Sequence, residues 1–216
     1  QYDDNKNIPP NLYSKYIQVV SQSEQTWQKA KSDNDFKTMV PYLKEIIELT
    51  KEMYSYSKPN VDTYNALLDD YEKGITANQL DTIFKELKEG TIPLIEAISK
   101  KDKVNQHIFN GHYPIHLQER LSNYFLDVIN FDFKSGCLAE SEHPFTTGIN
   151  SPYDVRITTN YDINDIRSSL FSVLHEGGHA IYEQNINPKL VGTRLNTGAS
   201  MGIHESQSRF YENIIS

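Results

Sequence analysis

The chain has 216 residues and a formal charge of −8, from 21 Lys and Arg against 29 Asp and Glu. That acidic balance argues against a nucleic-acid or anionic-membrane partner, both of which need clustered basic residues. The single cysteine, Cys137, excludes an internal disulfide framework and fits a reducing compartment, and no apolar run approaches the roughly 18–20 residues that span a bilayer.

Gly and Pro together make only 19 residues, so the composition leans helical rather than turn-dense. Gln1 rather than Met opens the sequence and Ser216 closes it inside an amphipathic run, so it reads as part of a longer product. Residues 1–135 read as a helical scaffold. Pro9, Pro10 and Asn11 precede Tyr13, Tyr16, Ile17, Val20 and Trp27 at near-helical spacing. Asp33 to Asp35 can cap a second helix with Phe36, Met39, Val40, Leu43, Ile46 and Ile47 on its apolar face, Pro41 lying in its first turns. Thr76 and Gln79 form a capping box ahead of Leu80, Ile83, Phe84 and Leu87, and Pro93 is expected to break or bend the chain beyond it. A further helix is predicted from about Pro114 to Ile129, with Leu117, Leu121, Tyr124, Phe125 and Val128 on one side. All these stripes read as core packing.

The texture changes after residue 135. Seven of the ten glycines fall in the last 81 residues, marking 136–216 as the region that carries the chemistry. Thr146 to Tyr161, with a turn at Asn150-Ser151-Pro152, reads as a short hairpin. Asn164 and Asp165 offer caps for a helix carrying Ile166, Leu170, Val173, Leu174 and Ile181, and a loop from Gly192 to Gly202 leads to a last helix near His204.

On the first of these helices lies His175-Glu176-Gly177-Gly178-His179. Histidines at i and i+4 share a helix face about 6 Å apart along the axis. Both can reach one Zn²⁺, while Glu176, about 100° round the helix, stands close by as a base rather than a ligand. Catalytic zinc needs a third protein ligand. Glu183 fails, because it is eight residues past His175 and so about 12 Å along the axis. Asn185 occupies the place of a metzincin histidine. His204, Glu205 and Glu212 on the following helix are the candidates, and a His-His-Glu set favours one of the two glutamates. His107, His112 and His116 resemble a second cluster, but Pro114 interrupts the pair at i, i+4 and they read as ordinary surface or core histidines.

Four motifs, His143-Pro144-Phe145, Asp154-Val155-Arg156-Ile157-Thr158, His175 to His179, and His204-Glu205-Ser206-Gln207, resemble in order and spacing those of the carboxypeptidase Taq family of metallopeptidases. Asp35-Phe36, Pro41-Tyr42-Leu43 and Tyr64 to Tyr71 are similar too, so the resemblance covers essentially the whole chain. It implies a mainly α, neurolysin-like metallopeptidase fold with a small β-hairpin or sheet beside the active site. Residues 136–216 would then be the zinc-site region of a single domain incomplete at both ends, since family members are more than twice this length. It implies His175, His179 and Glu205 as ligands of one Zn²⁺ (another divalent metal such as Co²⁺ being possible), and Glu176 as general base. His143, Arg156, His204 and Gln207 are expected nearer the substrate cleft. For Arg156 a carboxylate partner is expected, either the substrate's or that of Asp154. The implied activity is removal of single residues from peptide C-termini with broad specificity, by a cytoplasmic homodimer with no nucleic-acid or membrane partner. The rival readings are an oligopeptidase on the same fold and an inactive truncated paralogue acting as an interaction module.

Overall fold

The structure is a computed structural model that describes residues 5–106, 109, 111–149 and 151–215. Gln1, His107, Asn150 and Ser216, named above, lie outside them. The chain packs as two compact units, Gln1–Glu89 and Gly90–Ser216. The division is one of packing, whereas the change near residue 135 is one of composition.

The first unit is built on a helical hairpin, α1 (Pro10–Ser32) and α2 (Phe36–Ser57), followed by α3 (Thr63–Tyr71). Pro10 starts α1 where its missing N–H costs nothing, and Asp35 and Asp62 cap α2 and α3 by accepting from the N–H of Lys37 and of Tyr64. Leu12 and Val19 bury against Leu49 and Met53, with Tyr16, Tyr42 and Ile46 at the margin. The buried line is thus rotated from the predicted one. Tyr13, Ile17, Phe36 and Ile47 stay exposed, because one antiparallel neighbour covers only the edge of a broad apolar arc. Pro41 sits inside α2 without ending it.

Helix α4 (Ala77–Ser99) contains the division point between the units. Its capping box forms as read: Gln79 Oε1 accepts from the Thr76 N–H at 2.9 Å, and Thr76 Oγ1 from the Gln79 N–H at 3.4 Å. Pro93 does not break the chain but lies within a continuous helix, and one expectation fails: the stripe of Ile83, Phe84 and Leu87 is exposed rather than packed, no residue of α4 being buried.

The second unit places the site. Helix α5 (Ile115–Val128) leads to a three-stranded sheet, β1 (Gly136–Glu140), β2 (Phe145–Gly148) and β3 (Val155–Thr159), in the order β1-β3-β2. β2 and β3 form the predicted hairpin; β1 was not foreseen and pairs parallel to β3. Helix α6 (Ile166–Gln184), capped by Asp165, lies between this sheet, α5 and the last helix α7 (Met201–Phe210). α7 starts three residues before His204, with Ser200 as its cap, and widens into a π-helical turn at Tyr211–Ile215. Leu126, Ile129, Phe131, Val155, Ile157, Val173 and Leu174 make the core. Burying each contributes about 1.5–3 kcal/mol, and Leu126→Ala would cost about 2–5 kcal/mol. On α5 the buried line runs through Gln118, Ser122 and Leu126, while Leu117, Tyr124 and Val128 are exposed. The turn is set by a polar group: the Gln118 amide donates to the carbonyls of Tyr113 and Asp162, and Ser169 on α6 donates to its Oε1 at 2.6 Å. A buried amide so fully satisfied acts as a tie between elements.

Two glycines explain how closely α6 is enclosed. A Cβ on Gly177 would meet Ile129 Cδ1 at 2.6 Å on the α5 side, and one on Gly178 would meet the Gln207 carbonyl oxygen and Ser208 Cα at 2.8 Å on the α7 side. The spacers of the HExxH motif thus admit two neighbouring helices. No helix among the described residues is long and apolar enough to cross a membrane.

Candidate metal centre

His175 and His179 project from one face of α6 and Glu205 from α7, and one donor atom of each lies within 4.8 Å of the other two. Among the described residues this is the one cluster of three such groups; His112 and His116 take no part in it. Glu205 Oε2 lies 3.7 Å from His175 Nε2 and 3.4 Å from His179 Nε2. Tetrahedral ligands at zinc bond lengths stand about 3.3 Å apart, so the donor set fits such an ion.

The other candidates take different places. Glu212 lies on the outer nitrogen of His175, 2.8 Å from Nδ1, not on the inner one. His204 packs behind His179, and Glu183, excluded as a ligand by its rise along the helix, contacts His204 Nε2 at 2.6 Å. Burial, followed by the neighbouring His204 and His175, pushes His179 down to about 4, so it is neutral at pH 7. Burial alone would raise Glu205, but the Arg209 hydrogen bond and the nearby histidines leave it below the usual carboxylate range.

Arg209 was missed in the sequence. Its Nε donates to Glu205 Oε1 at 2.8 Å and its Nη1 to Glu212 Oε2 at 2.9 Å, so one cation holds two carboxylates beside the histidines. The signal was present as charges at i, i+4 and i+3 on one helix.

Glu176 is buried, and burial raises it above the ordinary carboxylate range. Thr146 Oγ1 on β2 lies 2.8 Å from Glu176 Oε2 and 2.9 Å from its backbone carbonyl, and donates there. Only the adjacency of Thr146 to the His143-Pro144-Phe145 segment could have drawn attention to it. A cavity of about 320 Å³ opens beside the triad, lined by His143, Phe171, His175, Glu176 and Arg209 among others. Ser141 fixes the His143 turn by donating to the His143 carbonyl at 2.6 Å.

The structure does not bring Arg156 to this cluster. Its cross-strand neighbour is Thr147, whereas Ile157 faces the same side as Thr146 and the core. Side chains alternate along a strand, so Arg156 points from the opposite sheet face. There it forms a bidentate pair with Asp154, at 2.8 and 2.9 Å. Asp154 is one of the two carboxylates weighed for it. Among the described residues the Gln207 side chain makes only a long 3.5 Å hydrogen bond to Ser206, and buried Ser208 donates to the Glu205 carbonyl, holding that ligand's backbone.

Comparison with known proteins agrees in family. The model of the carboxypeptidase Taq (M32) metallopeptidase matches residues 1–216. Carboxypeptidase 1 of Bacillus subtilis (strain 168) is 45% identical over 216 residues, which cover all of this chain and 43% of that protein. The solved structure of BsuCP superposes with a TM-score of 0.94 at 45% identity, over 99% of this chain and 43% of that one. The M32 carboxypeptidase of Deinococcus radiodurans R1 superposes with a TM-score of 0.84 at 33% identity, over 97% and 42%. The chain thus spans less than half the length of these relatives.

Proposed function

The chain belongs to the carboxypeptidase Taq (M32) metallopeptidase family, and on that premise we propose that it carries the zinc site of a metallocarboxypeptidase that removes single residues from peptide C-termini with broad specificity. In this reading residues 136–216 form the zinc-site region, and the protein acts as a cytoplasmic homodimer on peptide substrates.

One observation carries the reading: three acceptors converge, and among the described residues no donor stands between them. Glu212 offers only acceptor oxygens, so the single ring proton of a neutral His175 lies on Nδ1 and its Nε2 is bare. That lone pair faces the Glu205 carboxylate, as does Nε2 of His179. Such a cluster is favourable around a cation and unfavourable without one.

His175, His179 and Glu205 would hold Zn²⁺, with Glu212 orienting His175 and Arg209 orienting Glu205. Bound zinc would supply Lewis acidity to the scissile carbonyl and to water. Glu176, desolvated and aimed by Thr146, accepts the proton of the attacking water and passes it to the leaving amine. A base with a raised pKa holds that proton more firmly than an exposed carboxylate would, and so is the stronger acceptor in the attack. His143 lines the cavity that receives the peptide.

The test is hydrolysis by the zinc-loaded protein of one peptide with a free and with an amidated C-terminus. Cleavage confined to the free form is expected. Equal rates on both would overturn the carboxypeptidase reading in favour of an oligopeptidase, and stoichiometric zinc without hydrolysis of either would favour an interaction module.

A further inference from the structure

His175 meets a carboxylate directly, but behind His179 the hydrogen bonds pass through a second imidazole. His204 Nδ1 lies 2.6 Å from His179 Nδ1, and His204 Nε2 lies 2.6 Å from Glu183 Oε1. The His204 and Glu183 side chains are only 20% and 16% exposed, so solvent does not easily replace either partner. The proton positions follow from the donor and acceptor inventory of the side chains, and a hydrogen bond to the His204 backbone also favours a proton on the His179 ring. A carboxylate only accepts, so the one ring proton of a neutral His204 sits on Nε2. Its Nδ1 is then an acceptor, and the facing Nδ1 of His179 is the donor. Nε2 of His179 is left bare, 3.4 Å from Glu205 Oε2.

The surroundings hold His204 in that pose. The Tyr182 ring stands edge-on to it, with centroids 5.1 Å apart at 78°. The Tyr182 hydroxyl accepts from the Ala199 N–H at 3.1 Å, drawing the loop down over the pair. At the point of closest approach the loop carries Gly198, where a Cβ would lie 2.7 Å from His204 Cδ2 and 3.1 Å from Tyr182 Cε1. A rigid ring cannot yield as the end of a flexible chain does, so the seat of His204 requires a residue without a side chain.

We propose that Glu183 and His204 are positioning residues that set the tautomer of His179 and so hold its Nε2 as a metal ligand. The inference rests on the metal-centre reading above. It gives Glu183 a role behind the ligands instead of among them, and it places His204 there rather than at the substrate, since both its ring nitrogens are engaged. Partners of this kind typically change metal affinity 10–100-fold.

The test uses the full chain without metal at about pH 8, where imidazoles are largely neutral, and then titrated with Zn²⁺. Long-range ¹H–¹⁵N NMR of the metal-free wild type is expected to show His179 protonated on Nδ1 and His204 on Nε2; His179 protonated on Nε2 would overturn the proposal, with no variant required. Zn²⁺ affinity, from competition with a chelator, is expected to fall about 10–100-fold in Glu183→Gln, whose amide can donate as well as accept and so releases the tautomer. The same loss is expected in Gly198→Ala, which keeps every donor and acceptor but displaces the ring. Unchanged affinity in both variants, with the His179 tautomer retained, would also overturn it. A wild-type chain that binds no Zn²⁺, or a His179→Ala variant that binds it as tightly, defeats the metal-centre reading instead, while the tautomers of the metal-free protein still decide on the relay.

Discussion

Thr146 on β2 and Glu176 on α6 are joined across the sheet–helix interface by a 2.8 Å hydrogen bond from the hydroxyl to Oε2. The bond opposes burial, which pushes the Glu176 carboxyl up. Thr146→Val removes the donor at nearly constant volume. Glu176 should rise further, and since the base works unprotonated, the acid limb of kcat/KM against pH should move to higher pH. Turnover should fall about tenfold to a hundredfold through loss of aim with Zn²⁺ affinity unchanged. A pH–rate profile beside a chelator titration checks both.

Glu176→Gln should keep zinc, because Glu176 stands outside the triad whose donors converge. Turnover should drop about 10²–10⁴-fold for loss of a general base. Metal analysis of the purified variant with a single-turnover assay decides; near-wild-type activity would remove Glu176 from the mechanism.

The two spacer glycines should respond differently to alanine. In Gly177→Ala the new methyl meets first the terminal carbon of Ile129, which can turn aside, and the helix gains about 0.8–1 kcal/mol of propensity. In Gly178→Ala it meets backbone of α7 at 2.8 Å, so the helix carrying Glu205 must move. Overpacking of this kind costs about 1–3 kcal/mol. Thermal melts should rank Gly178→Ala well below Gly177→Ala, and only Gly178→Ala should lose Zn²⁺ affinity.

In the first unit Lys58 donates to Asp69 at 3.1 Å, to Asp70 at 2.7 Å and to the Ala66 carbonyl at 3.1 Å, tying α3 to the end of α2. Burial alone would raise Asp70, but hydrogen bonds from Lys58 and Tyr54 leave it below its ordinary value. A carboxyl held low in the folded state contributes stability above its unfolded pKa of about 3.9 and loses it as pH falls through the folded value. Asp70→Asn should therefore cost up to about 1 kcal/mol at pH 7, and the difference from wild type should shrink as pH falls below about 4. Urea midpoints at neutral and acid pH measure it.

What the sequence disclosed was local. His175, Glu176 and His179 could be placed because i and i+4 share a helix face whatever surrounds the helix, and the Thr76 box and Asp165 cap because their partners lie within three residues. Glu205 lies 26 residues past His179 across a loop, and periodicity could not choose between it, His204 and Glu212. What separates them is which ring nitrogen each one meets, a matter of tertiary contact. β1 escapes a local reading because it pairs parallel to β3 with β2 between them in sequence, so no tight turn joins the two strands. The buried line of α5 was misjudged because Gln118 faces inward, satisfied by three partners that no hydropathy pattern reveals.

The glycine pair of α6 bears also on how the site behaves in time. Distances set by long side chains blur as rotamers exchange on picosecond to nanosecond scales. Between His175 and His179, α6 presents bare backbone to its neighbours, and on the α7 side it meets backbone in return. The gap separating the two histidines from Glu205 is thus gauged by main chain against main chain. It should keep its calibration through thermal motion that would defocus a site hung on flexible supports.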